Sequence, residues 1–355
     1  MSPNKKIIAI VGATGNQGSS VAHTFLNLPN WHVRCLTRNP TSPAAQKLAS
    51  LGAEVVQADL SSLPSLSSAF QNANAIFVNT DFWEKYRDPK STAKDSSQAS
   101  FDLEVSHGKN AAIAAAGVST LERFVYSALG PMKRASKGKY PDSHHWESKN
   151  AIVDYIESEQ VELAKKTSFI YLGAYATNAF LVPNLDPNTG KYTFVLPMKR
   201  NSKIPIIDPA KSTGPFVQAL IETEEPGKKL LAYDSYSSIG ELVDLWSKVT
   251  GKEAILSEAT VEFMHEQFGV PMEVLGGPAF IEEFGYMAGL TGVIEPHQLN
   301  KKVETASFEE FLRGRDWEEI LGLRKLRWMV LRSEDRKECS IWASYLSASK
   351  AKVLF

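Results

Sequence analysis

Three glycines, Gly12, Gly15 and Gly18, are the residues of this 355-residue chain whose spacing points most directly to chemistry. An apolar run, residues 6–11, ends at Gly12, and an apolar-periodic segment, residues 20–28, follows Gly18. A strand, a glycine turn and a helix in this order present free backbone N–H groups and a positive dipole end to an anion. The pattern predicts a dinucleotide site, and a glycine-rich turn that binds nothing is the alternative.

The next apolar segment, residues 32–36, predicts which dinucleotide would bind. It ends at Thr37-Arg38, where an NAD-selective site usually carries an acid about 20 residues past the glycines. This chain has no acid there, and the Arg38 guanidinium could pair with a ribose 2′-phosphate. We therefore predict NADP(H) rather than NAD(H), the alternative being that Arg38 is a solvated charge at a strand end.

The elements that must position these residues alternate regularly through the first half of the chain. Apolar runs predict strands, and amphipathic segments between them predict helices. This alternation predicts an α/β fold with a Rossmann-type doubly wound parallel sheet, whose strands all end at one edge. The predicted strands are residues 6–11, 32–36, 54–57, 75–79, 123–127 and 168–172, and the predicted helices are residues 44–51, 63–70, 101–116 and 144–156. The polar stretch of residues 85–98 is predicted to be a mobile loop.

The rhythm changes after Leu172, where prolines become frequent. We expect an NADP-binding domain over residues 1–172 and a smaller C-terminal α/β lobe for substrate or partner over residues 173–321. A hairpin is predicted around residues 191–195, a capping box at Ser238 predicts a helix that stops at Gly251, and residues 261–268 form another predicted helix. Residues 322–355 are basic and irregular, which indicates a terminal extension or a gene-model artefact, with an amphipathic interaction helix as the alternative.

The composition, 43% hydrophobic and 22% charged residues with a formal net charge of −1, is that of an ordinary globular protein. It gives no indication of direct nucleic-acid binding or of an anionic membrane partner. Cys35 and Cys339 do not suggest a disulfide framework, and no apolar run reaches the roughly 18 residues of a membrane span. We expect a cytoplasmic protein, with the nucleus as an additional location, and no metal site, since the adjacent His144 and His145 cannot chelate as an i, i+4 pair would.

Four segments together carry a family resemblance. The segments are Gly12-Ala-Thr-Gly-Asn-Gln-Gly18, Thr37-Arg-Asn-Pro40, Thr80-Asp-Phe-Trp83 and His145-Trp-Glu-Ser-Lys149. With them, residues 5–321 of the chain resemble the NmrA-like family of atypical short-chain dehydrogenases, which includes fungal nitrogen-regulation repressors, an animal NADPH sensor and fungal oxidoreductases of secondary metabolism.

The resemblance implies a set of cofactor-binding residues along the sheet edge. The turn residues would wrap the pyrophosphate, and Arg38 would bind the 2′-phosphate. Lys149 would hydrogen-bond the nicotinamide ribose, although it could equally be an exposed helix lysine. Tyr175 could likewise be an aromatic residue at the edge of the core. The full set is Gly12, Thr14, Gly15, Asn16, Gln17 and Gly18 in the turn, Arg38, Asp59 and Leu60 at the adenosine end, and Thr80, Lys149, Tyr175 and Asn178 toward the nicotinamide.

The chain departs from typical short-chain dehydrogenases one helical turn before Lys149. Those enzymes place a proton-donating Tyr there, whose pKa the neighbouring lysine lowers. Here the position is His145, which could move a proton near neutral pH or could be a packed or solvated residue. Lys149 and His145 are therefore weak catalytic candidates, and the catalytic residues stay unassigned.

Two functions from different classes follow from this pattern. The first is an NADP(H)-dependent oxidoreductase that transfers a hydride to or from a small organic carbonyl or enone, in fungal secondary metabolism. The second is a non-catalytic NADP(H)-sensing regulator that binds a protein partner such as a transcription factor, which the missing Tyr favours. A pseudo-enzyme without cofactor binding is a third alternative that the intact glycine turn disfavours.

Overall fold

The computed structural model describes residues 5–88, 93–186 and 189–322. The strands are β1 (Lys6–Val11), β2 (Trp31–Thr37), β3 (Glu54–Gln57), β4 (Ala75–Val78), β5 (Arg123–Ala128), β6 (Thr167–Leu172), β7 (Ala174–Tyr175), β8 (Asn184–Leu185), β9 (Tyr192–Leu196), β10 (Lys203–Ile207), β11 (Lys229–Ala232), β12 (Ser235–Ser238), β13 (Ala254–Glu258) and β14 (Val293–Ile294).

The helices include short turns beside the long ones that cover the sheet. They are α1 (Asn16–Leu26), α2 (Pro43–Ser50), α3 (Leu63–Ala69), α4 (Trp83–Tyr86), α5 (Ala93–Ala116), α6 (Met132–Ala135), α7 (His144–Glu159), α8 (Val161–Ala164), α9 (Pro209–Glu222), α10 (Ile239–Thr250), α11 (Val261–Phe268), α12 (Met272–Phe284) and α13 (Phe308–Arg313), with 3₁₀ turns at Ala179–Leu181 and Pro296–Gln298.

The main sheet of the described chain has eight strands in the order β14-β11-β6-β5-β4-β1-β2-β3, and every neighbouring pair is parallel. From β1 the sheet extends on one side through β2 to β3. The chain then crosses to the other side of β1, where β4 lies. Ligands of open α/β sheets bind at this switch point, outside the carboxyl ends of the strands. The predicted doubly wound parallel sheet is confirmed.

Buried side chains of successive strand residues enter two separate clusters. Ile8 and Ile10 of β1 pack with α1 and α9, whereas Ala9 and Val11 pack with the cluster that contains α5 and α7. Because side chains alternate along a strand, an unbroken apolar run is what a strand covered on both faces requires. The helices therefore cover both faces of the sheet, and the ends of its strands form the edge where a ligand can bind.

The chain beyond residue 172 contributes to the main sheet as well as to a second region. β11 and β14 extend the sheet, and α9 packs on α1, where the Gly214 N–H donates to the Ser20 hydroxyl over 2.9 Å. Two three-stranded sheets, β12-β10-β7 and β13-β9-β8, and helices α10–α13 make up most of the remainder. The change in rhythm at residue 172 is thus not the end of the main sheet, and the role of residues 173–321 as a lobe for substrate or partner stays a prediction.

Local sequence signals in this second region agree with the structure. Ser238 and Glu241 form a capping box at α10, which ends at Gly251 in a left-handed conformation. The bounds of α11 are those predicted, and β8 and β9 form the predicted hairpin. These elements were predictable because caps and turns act within a few residues of the chain.

The prediction of a loop over residues 85–98 is wrong in part. The short helix α4 ends at Tyr86, and α5 begins at Ala93, well before the predicted start at Phe101. The Gln98 side-chain amide donates to the Asp102 carboxylate one turn later, a contact that supports a helix in this polar stretch. Residues 89–92 lie outside the described residues.

The predicted terminal extension, residues 322–355, lies outside the described residues except for Gly322, and Cys339 lies there too. Cys35 is buried in β2 as expected, and burial raises the pKa of its thiol to about 12. Within the described ranges, none of the helices combines the length and the apolar character needed to cross a bilayer.

Candidate functional site

The turn between β1 and α1 is closed by glycine geometry. Gly12 has a φ of +76°, a conformation that side chains disfavour, and its carbonyl accepts the Gly15 N–H over 2.9 Å. A Cβ atom at Gly18 would lie 2.2 Å from the Gly12 carbonyl oxygen, far inside van der Waals contact. Only glycine at position 18 therefore lets α1 begin so close to the end of β1.

The amino end of α1 has the donor set that an anion needs. Its N-cap is Gly15, no side chain caps it, and the first turn contains no acid. First-turn N–H groups have no partner within their own helix, and the helix dipole adds partial positive charge at this end. The turn residues, including Thr14 and Asn16, thus fit an anionic group such as a pyrophosphate.

Gln17 joins this turn to the chain that follows β6. Its amide nitrogen donates to the Tyr175 hydroxyl over 2.6 Å, and the Asn178 N–H donates to the Tyr175 carbonyl over 2.8 Å. Burial raises the pKa of Tyr175 to about 12. The other amide atom, Gln17 Oε1, is buried without a hydrogen-bond partner in the described chain. An unsatisfied buried acceptor is costly, which fits a site that a ligand completes.

Lys149 is an ion-paired residue whose side chain is largely buried, and it is not an exposed helix lysine. Its side chain is 12% exposed, and Nζ lies 3.3 Å from Oε1 of the fully buried Glu104. The ammonium also donates to the Thr80 carbonyl over 3.1 Å and to Asn79 Oδ1 over 3.3 Å. Lys149 therefore links α7 to α5 and to the end of β4.

The Thr80 hydroxyl satisfies all of its hydrogen bonds inside this cluster. It donates to Glu104 Oε1 over 2.7 Å and can accept from Lys149 Nζ over 3.2 Å and from the Tyr126 hydroxyl over 3.1 Å. Ser148 donates to the other Glu104 oxygen. The Thr80 hydroxyl is thus committed to the buried network, and its expected contact with a cofactor stays a prediction.

Asn79 connects Lys149 and its hydrogen-bond partners with the glycine turn. A Cβ atom at Gly12 would lie 3.4 Å from the Asn79 carbonyl oxygen, while the Asn79 side chain accepts from Lys149. Glycine turn, strand end and lysine are therefore immediate neighbours, as ligand binding at this edge requires.

The residues expected at the adenosine end lie at the ends of β2 and β3. Arg38 forms a bidentate pair with Glu84, which raises the Arg38 pKa, with smaller contributions from the charges of Asp59 and Asp81. Asp59 Oδ1 accepts the Ser61 N–H over 2.8 Å, and the Leu60 carbonyl accepts from Asn110 Nδ2 over 2.8 Å. Arg38, the residue expected to bind the 2′-phosphate, is thus paired with a carboxylate of its own chain in this structure.

His145 is held by a carboxylate from the C-terminal region. Glu273 of α12, with a side chain only 2% exposed, accepts from His145 Nδ1 over 2.7 Å and from the His145 backbone N–H over 2.8 Å. Its second oxygen lies 3.0 Å from His144 Nδ1. Burial alone would raise the Glu273 pKa, but the hydrogen bonds from both histidines prevail and lower it to about 2, and the bond to Glu273 raises the His144 pKa. The His145 ring also packs against Trp83, with the two ring centroids 4.8 Å apart.

The sequence reading missed three carboxylates, Glu84, Glu104 and Glu273, that bind the predicted residues. Glu104 lies two residues after the exposed Asp102 in the same helix, so its burial has no local signal. Glu273 follows Pro271 in a segment for which no helix was predicted. Only the pairing of distant elements identifies these three residues.

Comparison with known proteins places the chain in a family. Residues 4–312 match the model of the NmrA-like family. An NmrA-like family domain-containing oxidoreductase of Aspergillus hancockii is 31% identical over 305 residues, which cover 82% of this chain and 84% of the relative. One from Penicillium ochrochloron is 31% identical over 271 residues, 71% and 76% of the two chains.

A solved structure shares the fold at low sequence identity. NmrA, described as a negative transcriptional regulator, matches in its complex with NADP with a TM-score of 0.66 and 19% identity over 92% of this chain and 99% of that one. Its complex with NAD matches with a TM-score of 0.67. With a family match over residues 4–312 and oxidoreductase relatives aligned over most of their length, this chain belongs to the NmrA-like family.

Proposed function

We propose that this chain is an NADP(H)-dependent oxidoreductase that transfers a hydride to or from a small organic carbonyl or enone. The observation that carries the proposal is the convergence of the uncapped α1 turn, Asn79 and the ion-paired Lys149 at the switch point of the sheet. The oxidoreductase names of the fungal relatives support the reaction class. A place in secondary metabolism rests on the family resemblance alone.

Different residues of the candidate site would bind different parts of the cofactor. Gly12 to Gly18 would hold the pyrophosphate through backbone N–H groups, and Arg38 would bind a 2′-phosphate, with Asp59 and Leu60 bordering the adenine. Lys149 would orient the nicotinamide ribose, with Tyr175 and Asn178 on the side of Gln17. When bound, the cofactor supplies or accepts the hydride at the nicotinamide.

A carbonyl reduction also needs a proton at the substrate oxygen, and His145 is the side chain we propose to supply it. Glu273 occupies Nδ1 of His145, so a proton exchanged with substrate would be carried at Nε2. A buried carboxylate with a pKa of about 2 stays ionised at neutral pH, and its hydrogen bond to Nδ1 fixes the orientation of the ring. His145 would thus replace the phenol of typical short-chain dehydrogenases.

The first experiment is a calorimetric titration of the purified protein with NADPH and with NADH. We expect binding of NADPH, and Arg38→Ala should weaken it about tenfold while changing NADH affinity less, because the lost guanidinium contact is to a charged phosphate. An equal loss for both dinucleotides would remove Arg38 from the cofactor assignment. Binding of neither would mean that the glycine turn is structural.

The second experiment follows NADPH oxidation with a panel of small aldehydes, ketones, quinones and enones. His145→Ala should lower kcat and shift its pH profile without changing NADPH affinity, because His145 is proposed to move the proton and not to hold the cofactor. Binding without turnover of any panel member, together with a cofactor-dependent change in association with a protein, would support the non-catalytic sensor instead.

A further inference from the structure

The guanidinium of Arg38 is engaged by a carboxylate of the same chain. Nη1 lies 2.7 Å from Glu84 Oε1, and Nη2 lies 2.8 Å from Glu84 Oε2. This parallel two-bond geometry is the one with which arginine also binds a phosphate. Glu84 therefore takes the donors that a ribose 2′-phosphate would need.

The charges around Arg38 add to this competition. Asp59 and Asp81 act electrostatically on the guanidinium in addition to Glu84, so three carboxylates influence one cation. A 2′-phosphate carries close to two negative charges at neutral pH, whereas a ribose 2′-hydroxyl carries none. The local field thus opposes the phosphate much more than the hydroxyl.

Glu84 is held at this place by the packing of its own segment. Asp81 Oδ1 accepts the Trp83 N–H over 2.9 Å at the start of α4, and Phe82 is almost completely buried. Trp83 packs against His145 on the other side. The carboxylate is therefore presented to Arg38 by a segment anchored between the two ends of the candidate site.

We propose that Glu84 sets the dinucleotide selectivity of this chain by occupying Arg38, so that a 2′-phosphate must displace it and a 2′-hydroxyl need not. The inference rests on the proposed function, because it assumes that a dinucleotide binds at the glycine turn. It makes Glu84 a specificity-determining residue that reduces the preference for NADP(H) that Arg38 alone would give. NADH would keep the Arg38–Glu84 pair intact.

The test is a calorimetric comparison of the wild-type chain with Glu84→Gln. NADPH affinity should rise about threefold to fivefold in the variant, the size expected for an exposed ion pair, and NADH affinity should change by less than about twofold. Both side chains are more than half exposed, at 61% and 55%, so the substitution leaves the fold intact. The decisive quantity is the ratio of NADPH affinity to NADH affinity in each of the two proteins.

A matched control is Glu122→Gln. Glu122 pairs with Lys6 in a similarly exposed ion pair at the opposite edge of the sheet, so its substitution removes the same charge far from the site. It should leave both affinities unchanged. In the Arg38→Ala background, Glu84→Gln should no longer raise NADPH affinity through the guanidinium, which separates release of Arg38 from general charge repulsion.

Each outcome decides the proposal. A rise confined to NADPH and lost in the Arg38→Ala background supports it. Unchanged affinities, equal changes for both dinucleotides, or the same rise in Glu122→Gln would overturn it while leaving the proposed cofactor in place. Binding of neither dinucleotide by the wild-type chain would instead remove the proposed function and the inference with it.

Discussion

The glycine turn and the first two turns of α7 lie at the same edge of the sheet but are held there by different interactions. The turn is fixed by backbone geometry within seven consecutive residues, Gly12 to Gly18. The α7 residues Lys149 and His145 are fixed by buried carboxylates, Glu104 from α5 and Glu273 from α12. A site can thus combine a part that any strand–turn–helix of the right sequence would form with a part that exists only when distant helices pack.

The same contrast predicts different responses to mutation. Substitutions in the turn should lower stability through steric overlap, and this loss of stability should not depend on pH. Substitutions of the α7 residues or their partners should lower stability by leaving a charge without its partner. A second substitution that removes this charge should recover part of the lost stability. Three substitutions test this contrast, with successively smaller expected losses of stability.

Gly18→Ala should have the largest effect. Its Cβ would overlap the Gly12 carbonyl, so α1 must move away from β1, at a cost of about 3 to 4 kcal/mol of unfolding free energy. NADPH binding should be lost, because the first-turn N–H groups move with the helix. Urea denaturation and calorimetry measure both effects. Gly117→Ala, where the new Cβ meets its nearest atom at an ordinary 3.5 Å, is the matched control and should have little effect.

Lys149→Ala should follow, at about 3 kcal/mol of unfolding free energy, because it leaves the Glu104 carboxylate buried without its cation. Adding Glu104→Gln should recover part of this loss, since the neutral amide no longer needs a charged partner. Denaturant unfolding of the two single variants and the double variant measures the coupling. Strict additivity would show that the pair is not the source of the effect. Turnover should be abolished in both variants that lack Lys149.

Glu273→Gln should cost the least, about 2 kcal/mol near pH 5.5, because it replaces charged hydrogen bonds to two histidines with neutral ones. The Glu273 pKa falls from 4.5 to about 2 on folding, so its contribution is present above about pH 4.5 and is lost as the pH falls toward 2. The His144 pKa rises from 6.5, so its contribution is present below about pH 6.5 and is lost as the pH rises through the folded value.

The difference in stability between the wild type and Glu273→Gln should therefore be largest between about pH 4.5 and 6.5 and should narrow on both sides. Thermal unfolding across this range is the measurement. Glu266→Gln on the neighbouring α11, where the side chain is exposed, is the control and should follow the wild type. A stability difference that stays constant with pH would contradict the conclusion that ionised Glu273 holds the two histidines.

How far the sequence predicts the structure depends on how local each feature is. The order of β1 to β6, the capping box at Ser238 and the bounds of α11 follow from apolar period and capping residues within one element. The sequence analysis predicts no helix at α9, because the frequent prolines after Leu172, Pro209 among them, indicate breaks, although Pro209 occupies the first helical turn. The polar start of α5 predicts a loop because its residues lack an apolar stripe, whereas Ser96 and Ser100 are buried and the segment is helical.

Glycine positions and apolar spacing alone predict the glycine turn, the doubly wound sheet and the placing of Arg38, His145 and Lys149 at strand ends or on one helix. These features depend on backbone geometry and apolar spacing over a few residues, which the sequence states directly. The partners of these charged side chains follow only from the folded chain, in which Lys149 meets Glu104, His145 meets Glu273 across a separation of 128 residues, and Arg38 meets Glu84. A charged side chain has the same sequence signature whether it is exposed or buried, and only the packing of distant elements selects its partner.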